Sequence, residues 1–157
     1  MIKVCLADNH PVTHFGVKSY FKDHDQISIV ANVGNFSMVR DILQTKEIDI
    51  LILDLELEGL SSIFEVKSIL KNFPKTKIVI FSDLAEQMYA PNAIKAGVSG
   101  YVHKTEKLET LGLSIIKVHE GKIIINETVR KNMALIAKQS KSERLYRKLS
   151  NREIEVL

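Results

Sequence analysis

The 157-residue sequence predicts an α/β fold: a doubly wound parallel sheet of five strands, built as a (βα)5 unit. Three observations point to it. Five short runs rich in Ile, Val and Leu are nearly continuous in apolar residues, as strands buried on both faces require. The segments between them place apolar residues at helical spacing and carry helix start signals. Strand and helix alternate at the lengths of right-handed crossovers, which join parallel neighbours.

The elements follow in order. Ile2–Ala7 is the first strand, and Pro11 suits the first position of the helix behind it. Ile27–Val33 is the second, followed by Asn35 as a helix cap. Ile48–Leu53 leads to "SIFE", Ser62–Glu65, a capping box in which Glu65 reaches back to the N–H of Ser62. After Lys77–Phe81 the helical pattern runs from about Leu84 to Ala96, but Pro91 falls inside it, where proline costs roughly 3 kcal/mol. The expectation is a helix that starts at Pro91 or kinks there, with Ala85–Ala90 as a long approach. Gly100–His103 is the fifth strand, and the last helix, around Lys107–Glu120, stops at Gly121.

The unit therefore covers residues 1–121. Residues 122–140 read as an extra amphipathic helix with Val129, Met133, Ile136 and Ala137 on one stripe. Residues 141–149 are polar and basic, as a linker is. Residues 150–157 open another helix, with Ser150 as cap and Glu153 three residues on, but too little chain follows to complete it.

Composition narrows the function. The apolar share of 45% and charged share of 26% are those of an ordinary globular protein. A lone Cys5 inside an apolar run excludes a disulfide framework and points to a buried thiol in a reducing cytoplasm. Asp8 and Pro11 interrupt any signal peptide, and no apolar run approaches a membrane span. The net charge of +3 is uneven: residues 130–157 hold eight Lys/Arg against three Glu, whereas residues 1–129 hold fourteen against sixteen acids. The basic tail reads as a solvated connector, not as a DNA-binding arm.

In open α/β sheets, sites form beyond the carboxyl ends of the strands where strand order reverses. This sequence places Asp8 and Asn9 after the first strand, Asp54 after the third, Ser82 after the fourth and Lys104 after the fifth. Each alone is an ordinary strand ending; together they bring carboxylates, a hydroxyl and an ammonium to one rim. The five histidines, His10, His14, His24, His103 and His119, lack metal-ligand spacing and receive no role. "DNHPVTH" has no glycine-rich turn to cradle a phosphate-bearing cofactor, which sets a flavodoxin-type cofactor binder aside.

The stretches "ADNHP", "ILILDLELEG", "IVIFSD" and "AIKAGVSGYVHK" resemble the receiver domain of two-component response regulators, over essentially the whole (βα)5 unit. "KVHEGKIIINETVRK" and "LSNREIEVL" resemble the subfamily whose output is a LuxR-type helix-turn-helix, with the chain ending at the start of that domain. The resemblance implies a flavodoxin-like fold and a phosphoacceptor at Asp54, charged by a sensor histidine kinase. It implies Mg²⁺ held by Asp8, Asn9, Asp54 and the Glu56 backbone carbonyl. Lys104 and Ser82 would hold the phosphoryl group, and Tyr101 would be the aromatic switch. It further implies a cytoplasmic homodimer that reaches promoter DNA only through the output domain, with no enzymatic turnover beyond slow self-catalysed phosphoryl transfer and no membrane partner. Asn9 departs from the pattern, where the family usually has a second acid; this weakens the expected Mg²⁺ site, and with Glu56 and Glu58 just after Asp54, Glu56 is expected to restore part of the lost field at the rim. The competing reading is a degenerate receiver that acts as an interaction module without phosphorylation.

Overall fold

The computed structural model describes residues 1–139. The chain divides into two compact units, Met1–Asn126 and a second that begins at Glu127. In the first, strands β1 (Ile2–Ala7), β2 (Ile27–Val33), β3 (Ile50–Leu53), β4 (Lys77–Ser82) and β5 (Gly100–His103) alternate with helices α1 (Pro11–Phe21), α2 (Ser37–Thr45), α3 (Ile63–Asn72), α4 (Glu86–Lys95) and α5 (Leu108–His119). All strand pairings are parallel, in the order β2-β1-β3-β4-β5. The doubly wound parallel sheet expected from the apolar runs is thus the observed one, with the flavodoxin-like order that the resemblance implies.

The central strands β1, β3 and β4 are buried almost from end to end, which is why their sequences do not alternate, whereas the edge strand β2 is mostly half-buried. On one face Val17 and Phe21 of α1 and Leu111, Ile115 and Val118 of α5 join Val4, Leu6, Ile50, Ile52 and Val79 in a single core. Gly112 lets α5 approach closely: a Cβ there would lie 3.1 Å from Phe21 Cε1. Alternate strand residues such as Leu51, Leu53, Ile78 and Ile80 face the other way, with Val39, Val66, Ile69, Ala90 and Ala93 also buried. Cys5 is fully buried, and burial pushes its thiol up to about 12, so it packs as a small hydrophobe.

Local signals acted with small displacements. β3 begins at Ile50, two residues later than its apolar run, because Asp49 is already engaged: its N–H donates to Lys3 O at 2.8 Å and its carboxylate accepts from Lys3 N–H at 2.8 Å. Asn35 Oδ1 accepts from Met38 N–H at 3.2 Å and so caps α2. Ser62 caps α3 by accepting from Phe64 N–H, but Glu65 reaches one residue beyond the expected partner, to Ser61 N–H and Oγ, both at 3.0 Å. α4 and α5 both end on glycines at positive φ, Gly97 and Gly121, each closing a Schellman motif through Val98 N–H to Ala93 O and Lys122 N–H to Lys117 O.

α4 corrects one expectation. It starts at Glu86, not at Pro91, and Pro91 lies inside it. Ala85 O accepts from both Met88 and Tyr89 N–H at 3.1 Å, so the first turn forms without help from the proline. The interruption is confined to Gln87, whose carbonyl lacks the donor four residues on but belongs to an exposed residue that water can reach. In the second unit a helix covers residues 127–139 of the described chain. Of its expected stripe, Val129 is buried and Met133 half-buried, whereas Ile136 and Ala137 are exposed. The linker and the further helix start expected at residues 141–157 lie outside the described residues.

Pro91→Ala restores a donor to Gln87. The propensity difference, roughly 3 kcal/mol in a helix interior and already net of the freer unfolded chain, gives a stabilisation of up to about 3 kcal/mol. It is read as a higher urea midpoint with an unchanged m-value.

Candidate functional site

Strand order reverses between β1 and β3, and their register sets Ala7 beside Leu53. The next residue on each strand is therefore an aspartate at the same height, and Asp54 N–H donates to Ala7 O at 3.0 Å. Both Asp8 and Asp54 are only 1% exposed. β4 and β5 deliver the remaining groups by the same device: Ser82 pairs with His103, and Lys104 N–H donates to Ser82 O at 2.9 Å.

The Lys104 ammonium, on a side chain 10% exposed, lies 2.8 Å from Asp54 Oδ2 and 2.8 Å from Asp8 Oδ2. The Asp54 contact is a hydrogen bond. The Asp8 contact is an ion pair without hydrogen-bond geometry, so Asp8 Oδ2 is buried with no donor aimed at it. Burial works against the Lys104 charge, but the hydrogen bond to Asp54 and the attraction of both carboxylates outweigh it and hold the ammonium above its ordinary pKa. Two carboxylates facing one ammonium leave the pocket a net negative charge. The other Asp54 oxygen, Oδ1, accepts from Glu56 N–H at 3.0 Å, which turns the Asp54–Leu57 loop back over the strand end. Glu56 is exposed, and among the described residues nothing donates to its carbonyl. Asn9 is exposed beside the pocket.

Ser82 and Tyr101 meet through the backbone of one residue, Leu84. Ser82 Oγ accepts from Leu84 N–H at 3.2 Å, while the Tyr101 hydroxyl donates to Leu84 O at 2.6 Å. Tyr101 is turned inward, 2% exposed, and burial pushes its phenol up to about 12. His103 steadies the same loop: Nδ1 accepts from Thr105 N–H at 3.1 Å, which leaves Nε2 to donate to Asp83 O at 2.9 Å.

Of the expected residues, Asp8, Asp54 and Lys104 converge directly, Ser82 and Tyr101 both bond the backbone of Leu84, and Asn9 and Glu56 lie at the rim. His10, which received no role, belongs to the cluster. Its N–H donates to Asp8 Oδ1 at 2.7 Å, and its ring Nδ1 lies 3.1 Å from that oxygen and 3.6 Å from Asp54 Oδ2. The His14 ring contacts the Asp8 carbonyl. The only sequence signal for His10 was its place between the strand-end acid and Pro11, which fixes it as the cap residue of α1.

A buried acidic pair with an undonated oxygen fits a divalent cation, because hard oxygen donors and net negative charge are what such an ion takes. A buried acidic pair compatible with a divalent cation at the switch point of a five-stranded doubly wound sheet, with a lysine following the last strand, is the arrangement of a receiver-type domain. The chain belongs to the response regulator receiver domain family, whose model matches residues 4–116. It is similar to the response regulator protein VraR of Staphylococcus epidermidis, at 26% identity over 99% of this chain and 74% of that protein. It is likewise similar to the oxygen regulatory protein NreC of the same species, at 28% identity over 99% of this chain and 75% of that protein. A LuxR-family two-component response regulator from Aurantimonas shares the fold with a TM-score of 0.76 at 23% identity, over 86% of this chain and 96% of its own. No helix among the described residues is long and apolar enough to cross a membrane.

The two raised pKa values act on stability in the same direction. Lys104 contributes stability that is complete below 10.5, its ordinary value, and is lost as pH rises through its higher folded-state pKa. The Tyr101 phenol ionises near 10.0 when unfolded but near 12 when folded, so stability falls over that interval too. Urea midpoints should decline across this alkaline range. Lys104→Met should lose on the order of 2 kcal/mol at neutral pH, buried-pair losses of about 3–5 kcal/mol being reduced by solvent at the rim. Its midpoint should also fall less steeply with pH than that of the parent, and Tyr101→Phe isolates the phenol's share.

Proposed function

We propose that this chain is the signal-accepting part of a two-component phosphorelay. Asp54 takes a phosphoryl group from the phosphohistidine of a sensor histidine kinase, and the modified receiver controls a transcription-regulating, DNA-binding output of LuxR type. The observation that carries this reading is the buried carboxylate pair, Asp8 and Asp54, bridged by one ammonium at 2.8 Å from each.

An Asp54 carboxylate oxygen forms the new P–O bond as the P–N bond of the donor breaks, and the imidazole leaves with the electron pair. Such a transfer asks for positioning and charge neutralisation more than for covalent machinery. Asp54 is positioned by the Ala7 O and Glu56 N–H bonds at its two ends. Asp8, Asp54 and the Glu56 carbonyl would hold Mg²⁺, with Asn9 supplying an amide oxygen in place of a carboxylate; the ion neutralises charge on the phosphoryl oxygens. Lys104 gives up one carboxylate contact for a phosphoryl oxygen, as a point charge.

Ser82 is the hydroxyl that turns to a further phosphoryl oxygen. That turn releases Leu84 N–H, and the carbonyl of the same residue, in the next peptide group, is what Tyr101 holds, so the event at Asp54 biases the position of Tyr101 and of α4 behind it. In this reading the working form is a cytoplasmic homodimer, and promoter DNA is contacted by the output domain alone. Turnover is limited to slow self-catalysed transfer and hydrolysis.

Incubation with Mg²⁺ and a small-molecule phosphodonor should add one phosphoryl mass in intact mass spectrometry, absent in Asp54→Asn. No gain with either the phosphodonor or a histidine kinase would favour a phosphorylation-independent interaction module instead.

A further inference from the structure

We infer that Glu86 is the positioning residue through which the state of Asp54 reaches the chain beyond the sheet. Its carboxylate holds the N–H of Asn126, at the cap position of the following helix, and a shift of α4 lets that N–H go. The inference rests on the proposed phosphoryl acceptance at Asp54 and adds the residue that passes the event on.

A missing local partner gives Glu86 this task. In a capping box the side chain that accepts from the N–H of the cap residue belongs to the third residue of the same helix. Asn126 stands directly before the helix at residues 127–139, and asparagine is a favoured cap. The third helical residue is Val129, whose side chain has no acceptor to offer. The acceptor comes instead from the first residue of α4: Glu86 Oε2 accepts from Asn126 N–H at 2.7 Å. The cap N–H is thereby made to depend on where α4 starts.

The segment leading to Asn126 is fixed on its other side, so this bond has to absorb any movement. Ile124 N–H donates to Ser99 O at 2.9 Å, and Ile124 O accepts from Tyr101 N–H at 3.0 Å. Those bonds tie the backbone to β5 two residues before Asn126. Glu86 lies two residues after Leu84, whose N–H and carbonyl are held by Ser82 Oγ and the Tyr101 hydroxyl. When Ser82 turns to the phosphoryl group, the start of α4 is free to shift, while Asn126 stays with the sheet.

The bond is poised for release. Glu86 is half-buried, and burial, with the charge of Glu106, holds its carboxyl above the usual range; Asn126 N–H and His103 act the other way. Withdrawal from water offsets part of what the hydrogen bond contributes, so a carboxylate that moves outward regains hydration as it gives up Asn126. A contact already at 2.7 Å has nothing to gain from displacement, so modification of Asp54 loosens it.

The test is amide exchange by NMR on the full 157-residue chain, with and without Mg²⁺ and a small-molecule phosphodonor, the modification being followed by intact mass. In the unmodified protein, Glu86→Met should speed exchange at Asn126 about fivefold, as the loss of one helix cap does. Glu86→Gln, which keeps a carbonyl acceptor, should stay close to the parent. Modification of Asp54 should speed the same amide in the parent, an arm that needs no variant, and leave it unchanged in Glu86→Met. A purely structural bond would respond to the substitution alone. Asn126 exchange that ignores Glu86→Met, or that ignores a phosphoryl group present by mass on the parent, overturns the inference and leaves the phosphoacceptor reading intact. A chain that takes no phosphoryl group from the phosphodonor or from a histidine kinase overturns that reading, and the coupling with it.

Discussion

Two like charges buried side by side need a counter-charge, and the rest of the site depends on how this fold supplies it. The β1–β3 register forces Asp8 and Asp54 to the same height at 1% exposure. Each contact with Lys104 at 2.8 Å is worth about 6 kcal/mol at an effective dielectric near 20, against a desolvation cost of several kcal/mol per ion. The balance is close, so the lysine makes the carboxylate pair tolerable more than it stabilises the fold. A site so poised responds strongly to any added charge, whether cation or phosphoryl group. That sensitivity is what a signalling pocket needs.

The response has a short path outward. Ser82 and Tyr101 hold the N–H and the carbonyl of Leu84, in successive peptide groups, and α4 starts two residues later. Glu86, the first residue of α4, accepts from Asn126 N–H at 2.7 Å, while Ile124 exchanges hydrogen bonds with Ser99 and Tyr101. Burial holds the Glu86 carboxyl above its usual range, a sign that this junction is partly closed to water. Tyr101 is therefore joined by direct hydrogen bonds both to Leu84 beside the site and to the point where the chain leaves the sheet.

Much of this was legible in the sequence because strand runs and strand ends are local signals. Five apolar runs located the strands within two residues, and the polar residue ending each run located Asp8, Asp54, Ser82 and Lys104. What the sequence could not show were distances between side chains. That His10 lies beside Asp54 was not legible, because spacing along the chain says nothing about residues that strand pairing brings together. Pro91 was overweighted for the opposite reason: helix propensity is local, while α4 is held by its buried Ala90 and Ala93 and needs only to forgo one bond at an exposed turn. Glu65 reached Ser61 instead of Ser62 because the Ser61 hydroxyl offered a second donor beside its N–H.

The return of the chain along β5 bears on how copies of this domain can associate. β5 is an edge strand, and an open edge presents unpaired N–H and C=O groups to any other sheet. Here Ile124 occupies that edge, donating to Ser99 O at 2.9 Å and accepting from Tyr101 N–H at 3.0 Å. The backbone at the signalling end of the sheet is thus sealed by the protein's own continuation. Sheet-to-sheet augmentation is blocked at this position, and any self-association on this side must be built from side chains, whose complementarity evolution can tune and a conformational switch can alter.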